Sequence, residues 1–168
     1  MLEPWLNFVV VIFIQLLLLI VYACYKKKLS DVPRILGLGI VIGMGVGLLS
    51  DLVLGKFFGL WSYALGFSSL PLMLTAVFVY GLFSASILLM QHARLLHFFV
   101  LTMIMMVVYE TTNYFFRVWS YELTLPFLGL LAFLIVGYFT TAVFVAVTGH
   151  VFFKHRFFYI DTLLKSRI

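Results

Sequence analysis

Residues 34–56 read RILGLGIVIGMGVGLLSDLVLGK. Within this stretch Gly39, Gly43, Gly47, Asp51 and Gly55 recur at every fourth position. On a helix that spacing lines residues up along one slowly drifting face. The predicted element is an apolar helix with a bare groove along it and a carboxylate near its end. In water each of these glycines would weaken a helix by about 1 kcal/mol relative to alanine. In a bilayer the backbone has no water to bond, so the helix is enforced, and small residues let a neighbour pack close. The stretch therefore predicts the central packing helix of a membrane protein. Gly39, Gly43, Gly47 and Gly55 are its packing surface, and Asp51 is its functional end.

The composition points the same way. Hydrophobic residues make up 65% of the 168 and charged residues only 10%, with mean hydropathy +1.20. A soluble domain carries about 25% charged residues. The expected fold class is all-α, a polytopic membrane protein forming one transmembrane domain over residues 1–168. The net charge of +5 does not signal nucleic acid, because the basic residues flank apolar spans. Cys24 is the only cysteine, which excludes an internal disulfide and a cysteine-based zinc site.

Five spans are predicted, at about 5–24, 34–54, 70–90, 96–116 and 125–152. The first is too long for a signal-peptide core and no small-x-small cleavage site follows, so it is expected to be retained. Gln15 is its one strongly polar mid-span residue and is expected to face other helices. Pro4, Pro33, Pro71 and Pro126 each fall at the start of a span, where a proline loses no helical hydrogen bond. A polar-aromatic loop is expected from Lys56 to Ser69. The loops on one side carry nine of the 11 basic residues, and the other side carries Lys56 and Arg117. The positive-inside rule then puts the N-terminus outside and the C-terminus in the cytoplasm of a cell with a plasma membrane location. Trp5, Trp61 and Trp119 would mark the outer interface, and the basic tail from Lys154 to Ile168 would lie on the inner surface.

Sliding the sequence by 58 residues gives 12 identities over positions 51–99. Trp61-Ser62-Tyr63 falls on Trp119-Ser120-Tyr121, Phe57-Phe58 on Phe115-Phe116, and Tyr80 on Tyr138. His92 and His97 fall on His150 and His155. The reading is a duplicated two-helix hairpin, with spans two and three repeated in parallel as spans four and five. Small residues of span three (Ala76, Gly81, Ser84, Ala85) and span five (Gly129, Gly137, Thr141, Gly149) are expected to pack on the glycine groove.

Asp51 and Glu110 are the only acids inside predicted spans, and each lies in the outer half of the first helix of its hairpin. A charged side chain at mid-helix costs about 2.5–3.5 kcal/mol on insertion scales, so such acids turn inward. Glu110, Asn113, Tyr114 and Arg117 form an i, i+3, i+4, i+7 polar stripe. The expected site is an outward-facing pocket with Asp51 and Glu110 as its acids. Trp61, Tyr63, Asn113, Tyr114, Trp119 and Tyr121 would line it, with Arg117 or Lys56 in reach. The alternative is that these groups only hold helices together through interhelical hydrogen bonds. No metal site and no cofactor is expected. The histidines of each His-x4-His pair point about 140° apart on a helix, without an accompanying acid.

The pattern Asp51, Gly59-x-Trp61-x-Tyr63, Gly66 and Pro71 resembles the small multi-span domains of heterodimeric and fused lycopene cyclases. The resemblance is confined to residues 51–73 or so. It implies an acid-ended helix leading through an aromatic loop to a proline-led helix, and chemistry on a polyene. The carboxylate pair that follows the family's proline is Leu72 and Met73 here. The chain also looks like uncharacterised bacterial five-span proteins with a Glu-then-Trp-Ser pattern, here Glu110 and Trp119-Ser120.

Three functions are consistent with these residues. The first is binding or passage of a small or lipidic ligand through the acidic–aromatic pocket. The second is an intramembrane enzyme acting on an isoprenoid or lipid, with Asp51 or Glu110 as proton donor. The third is an assembly subunit whose glycine groove receives a partner helix. Membrane lipids are expected partners in each, and a second copy of the chain or another membrane protein in the last.

Overall fold

A computed structural model of the chain describes residues 4–64, 66, 73–91, 93–154, 157 and 160. Helix α1 runs Pro4–Tyr25. A single 3-10 turn, Leu29–Asp31, leads into α2, Val32–Ser50, which has Pro33 in its first turn. The helix continues without a break through a π-helical segment, Asp51–Phe57. Strand β1 is Trp61–Tyr63. Helix α3 has a π-helical part, Thr75–Tyr80, and an α-helical part, Gly81–Leu89. Helix α4 is Leu95–Phe116, β2 is Trp119–Tyr121, and α5 is Phe127–Phe153.

Among the described residues four helical stretches are long and apolar enough to cross a membrane: Trp5–Tyr25, Leu29–Phe57, Leu95–Phe116 and Phe127–Phe153. About 20 residues suffice to cross. A shorter apolar helix, Val77–Leu89, accompanies them. These are the helices of a membrane protein, and four of the five expected spans are matched by them to within a few residues. The first residues of the expected third span, including Leu70 and Pro71, lie outside the described residues. So do His92, His155 and, except for Lys154, Phe157 and Ile160, the basic tail.

Two features of the fold differ from expectation. The helix at the centre is α3, not the glycine-faced α2. From Gly81 to Leu89 every α3 residue except Ser86 is buried. Helix α2 buries only one stripe, Ile35, Gly39, Ile42, Gly43 and Gly47. A groove is one-sided by construction, so a glycine-faced helix flanks its neighbour and does not sit at the middle. The groove itself is used as the spacing predicts. A Cβ on Gly39 would stand 2.6 Å from the Ala85 nitrogen, and one on Gly43 would stand 2.5 Å from the Gly81 nitrogen. Gly47 meets the ring of Tyr80. Gly37 and Gly45, off the stripe, face open space. Gly55 is buried within the π-helical segment.

The second difference is in the expected loop from Lys56 to Ser69. Trp61–Tyr63 pairs antiparallel with Trp119–Tyr121, with Trp61 opposite Tyr121, Ser62 opposite Ser120 and Tyr63 opposite Trp119. The ladder extends at both ends through Ala64 N–H to Val118 O (2.9 Å) and Glu122 N–H to Leu60 O (3.0 Å). A three-residue strand has no alternation long enough to read. Its pairing partner lies 58 residues away.

The core is completed by Phe8, Val11, Leu19 and Ala23 of α1, Phe98 of α4, and Ala142, Val145 and Ala146 of α5. Large apolar side chains such as Phe13, Val41, Phe115 and Phe127 point outward. In a bilayer that is lipid contact and carries no penalty.

Candidate functional site

Asp51 stands where α2 passes from α-helical to π-helical winding. It is fully buried, at 0% exposure. Its Oδ1 accepts three side-chain hydrogen bonds: from Trp61 Nε1 (3.1 Å), Tyr63 OH (2.9 Å) and Tyr80 OH (3.0 Å). Its Oδ2 is buried with no partner among the described residues.

Glu110, in the last third of α4, has a matching set. Its Oε1 accepts from Tyr121 OH (2.7 Å) and Tyr138 OH (2.8 Å). Trp119 Nε1 donates to the Tyr121 hydroxyl (3.2 Å). The Trp, strand Tyr and helix Tyr around Glu110 each lie 58 residues after those around Asp51. The acids themselves are offset by one residue from that register. The π-helical segment lies in the interval between Asp51 and Trp61, which is one residue longer than that between Glu110 and Trp119. A π turn accommodates one additional residue in a helix, and both acids reach the same kind of partners.

The strand pair brings the two clusters together. Ser62 and Ser120 face each other with their hydroxyl oxygens 2.9 Å apart, and both bond Glu122 Oε1. Indoles and phenols from both strands then line one cavity of about 180 Å³, with Tyr80, Phe83, Phe133 and Tyr138 on the helix side. Neither carboxylate lines it. The side chains bonded to each acid do, so the acids stand behind an aromatic wall.

Every indole and strand or helix phenol proton described above is committed to an acid or a neighbouring phenol. What these six groups offer the cavity is phenol oxygen lone pairs and ring faces; the hydroxyl residues Ser50, Tyr109 and Thr141 also line it. Burial pushes the Tyr63 and Tyr121 phenols well above their ordinary range, with the neighbouring tyrosine and acid charges adding to it. They remain neutral donors at any physiological pH. The six partnered indole and phenol groups thus present aromatic faces and phenol oxygens, with a carboxyl group behind each cluster.

Of the residues the sequence singled out, Asp51, Trp61 and Tyr63 form one cluster, and Glu110, Trp119 and Tyr121 the other. Asn113 stands behind the wall. Its amide bonds the Trp119 carbonyl and its oxygen accepts the Trp119 N–H, both at 2.9 Å, which fixes where β2 begins. Arg117 is exposed and caps α4 in the left-handed conformation, φ 49°. Tyr114 is 77% exposed and stacks edge-on with Phe115 on the outside. The i+3, i+4, i+7 stripe therefore splits, because α4 ends at Phe116 and its polar residues serve the turn. Tyr80 and Tyr138 complete the site and were not among the expected lining residues. Their signal was in the sequence: two tyrosines inside apolar spans at the 58-residue offset.

No protein-family model matches the chain, and no curated protein or solved structure does.

Proposed function

We propose that this chain is a five-span membrane protein whose acidic–aromatic pocket binds a small or lipidic ligand carrying a positive charge or a hydrogen-bond donor on an apolar body. The N-terminus is outside, the C-terminus cytoplasmic, and the pocket opens to the outer face of the plasma membrane. The excess of basic residues on the opposite loops supports that orientation. Two parallel hairpins, duplicated from one, supply the two halves of the site. The matching hydrogen-bond sets around Asp51 and Glu110, 58 residues apart, support the duplication.

One observation carries the reading. Trp61, Tyr63, Tyr80, Tyr121 and Tyr138 commit their protons to the acids and Trp119 commits its own to the Tyr121 hydroxyl, so this part of the wall presents acceptors and π faces. A desolvated cation over aromatic faces gains about 2 kcal/mol or more, which is roughly 30-fold in affinity. Anions gain nothing from the ring faces.

The test is a matched pair of probes, benzyltrimethylammonium and its uncharged isostere neopentylbenzene. Binding to the purified protein is followed by the fluorescence of Trp61 and Trp119, with a Trp5→Phe background. The cation is expected to bind at least about tenfold tighter than the isostere. Asp51→Asn and Glu110→Gln are expected to remove that preference while the protein still accumulates in the membrane. Equal affinities for the two probes refute the reading. Failure of both variants to accumulate assigns the acids to structure alone.

The unpartnered Oδ2 of Asp51 favours a second reading of the same site, as an isoprenoid-modifying enzyme. A protonated Asp51 would pass its proton to the Tyr63 oxygen as the Tyr63 hydroxyl, which lines the cavity, gives its own to an alkene carbon, and the return would use the same phenol. The aromatic wall would face the resulting carbocation, and loss of a proton from carbon back to the carboxylate would complete the cycle. Mass spectrometry of lipids extracted from the purified protein tests it. A bound isoprenoid supports it, and an extract with no isoprenoid counts against it.

A further inference from the structure

A second cavity, of about 370 Å³, lies within the helices. One face of α1, carrying Gln15, Leu19 and Tyr22, meets one face of α4, carrying Ile104, Val108 and Tyr109, and Ser86 and Met90 close it from the α3 side. The volume is within the range of about 300–1,000 Å³ usual for small-molecule sites. No charged side chain among the described residues lines it.

Two of its lining groups are polar, deeply buried and unsatisfied. Gln15 is 3% exposed and Tyr109 is 5% exposed. Neither atom of the Gln15 amide, nor the Tyr109 hydroxyl, has a hydrogen-bond partner among the described residues. The Ser86 hydroxyl, by contrast, is committed to the Leu82 carbonyl at 2.9 Å. Buried polar groups in native proteins are almost always paired, and leaving an amide unpaired in an apolar setting is costly. Two orphans lining one roomy cavity therefore call for a guest with a polar atom.

The depth of the site narrows the guest. Gln15 is roughly 15 Å from either end of the 22-residue α1, which is mid-bilayer. A phospholipid keeps its esters and headgroup at the interface and brings only hydrocarbon to this level. A lipid with one small uncharged polar group can be drawn in whole. The mouth is open to such a molecule from the side, because Val21 and Ile104 are 56% and 54% exposed.

We propose that this cavity binds an uncharged lipid bearing a single hydroxyl or carbonyl, whose oxygen is held by the Gln15 amide and the Tyr109 hydroxyl. The site is separate from the aromatic pocket and does not depend on what that pocket binds. The two share one wall residue, Tyr109, whose ring packs edge-on against Phe83 and Tyr138 of the pocket.

The experiment compares oleyl alcohol with 9-octadecene, the same chain without the hydroxyl, by thermal unfolding of the delipidated full chain in detergent. At a hundredfold excess over its Kd the alcohol is expected to raise the midpoint by about 5–11 °C, and the alkene to leave it unchanged. Gln15→Leu and Tyr109→Phe are expected to lose the alcohol's effect. Ile104→Trp, which fills the mouth and keeps both polar groups, is expected to lose it too. If Gln15→Leu does not fold, Tyr109→Phe and Ile104→Trp decide. Three results overturn the proposal. One is equal shifts from alcohol and alkene. Another is an alcohol shift that survives in the variants that fold. The third is no shift in the wild type, with Gln15→Leu alone raising the midpoint, which marks the amide as an unsatisfied group or one met by water only.

Discussion

At the scale of single residues the site is a problem in where protons point. Asp51 collects three donors on one oxygen and Glu110 collects two. The two strand tyrosines among these donors, Tyr63 and Tyr121, are held neutral by burial. Their folded pKa lies above the ordinary value of 10.0, so the stability they contribute is complete below about pH 10 and is lost as the pH rises beyond it. Alkaline titration of tyrosinate absorbance checks this. The step centred near pH 10–11 should have the same amplitude in the wild type and in Tyr63→Phe, because Tyr63 takes no part in it. A smaller step in the variant would contradict the assignment. The sequence made the acids legible, since a carboxylate in an apolar span is conspicuous. It did not separate Tyr114, which faces outward, from Tyr80 and Tyr138, which face the acids. All three are tyrosines within or near apolar spans, and only packing against a neighbouring helix decides the side.

At the scale of elements the α2–α3 contact is set by the absence of side chains. Gly43 lets the Gly81 backbone approach to a distance no Cβ tolerates, whereas Gly45 faces open space. Gly43→Ala is expected to destabilise the protein by about 1–3 kcal/mol through overpacking. Gly45→Ala is expected to be neutral or to stabilise by up to about 1 kcal/mol, from helix propensity alone. Unfolding of the two variants in a denaturing detergent series, read by circular dichroism, separates them; equal effects would mean that the groove is not a contact. This contrast was readable from the four-residue period. The position of α3 at the centre was not. In a membrane every span is apolar all round, so the outward face and the inward face carry nearly the same residue types, and burial leaves little mark on hydropathy. The strands were illegible for another reason. Three residues supply no period, and what makes them strands is a partner far along the chain.

At the scale of the whole molecule, the two hairpins are joined at one end by a six-residue sheet whose middle pair is Ser62 and Ser120. Their hydroxyl oxygens are 2.9 Å apart, and as directly paired residues on neighbouring strands they bring two cysteine side chains in their place within reach of each other. The double variant Ser62→Cys, Ser120→Cys is expected to oxidise spontaneously, and Cys24, the one natural cysteine, is exposed on a different helix and can be changed to Ala as a control. The bond would join segments on either side of the α3–α4 turn. A protease site inserted between Gln91 and Arg94 would then nick the polypeptide without parting it. The cut product would migrate at full length on a non-reducing gel and fall into two fragments once thiol is added.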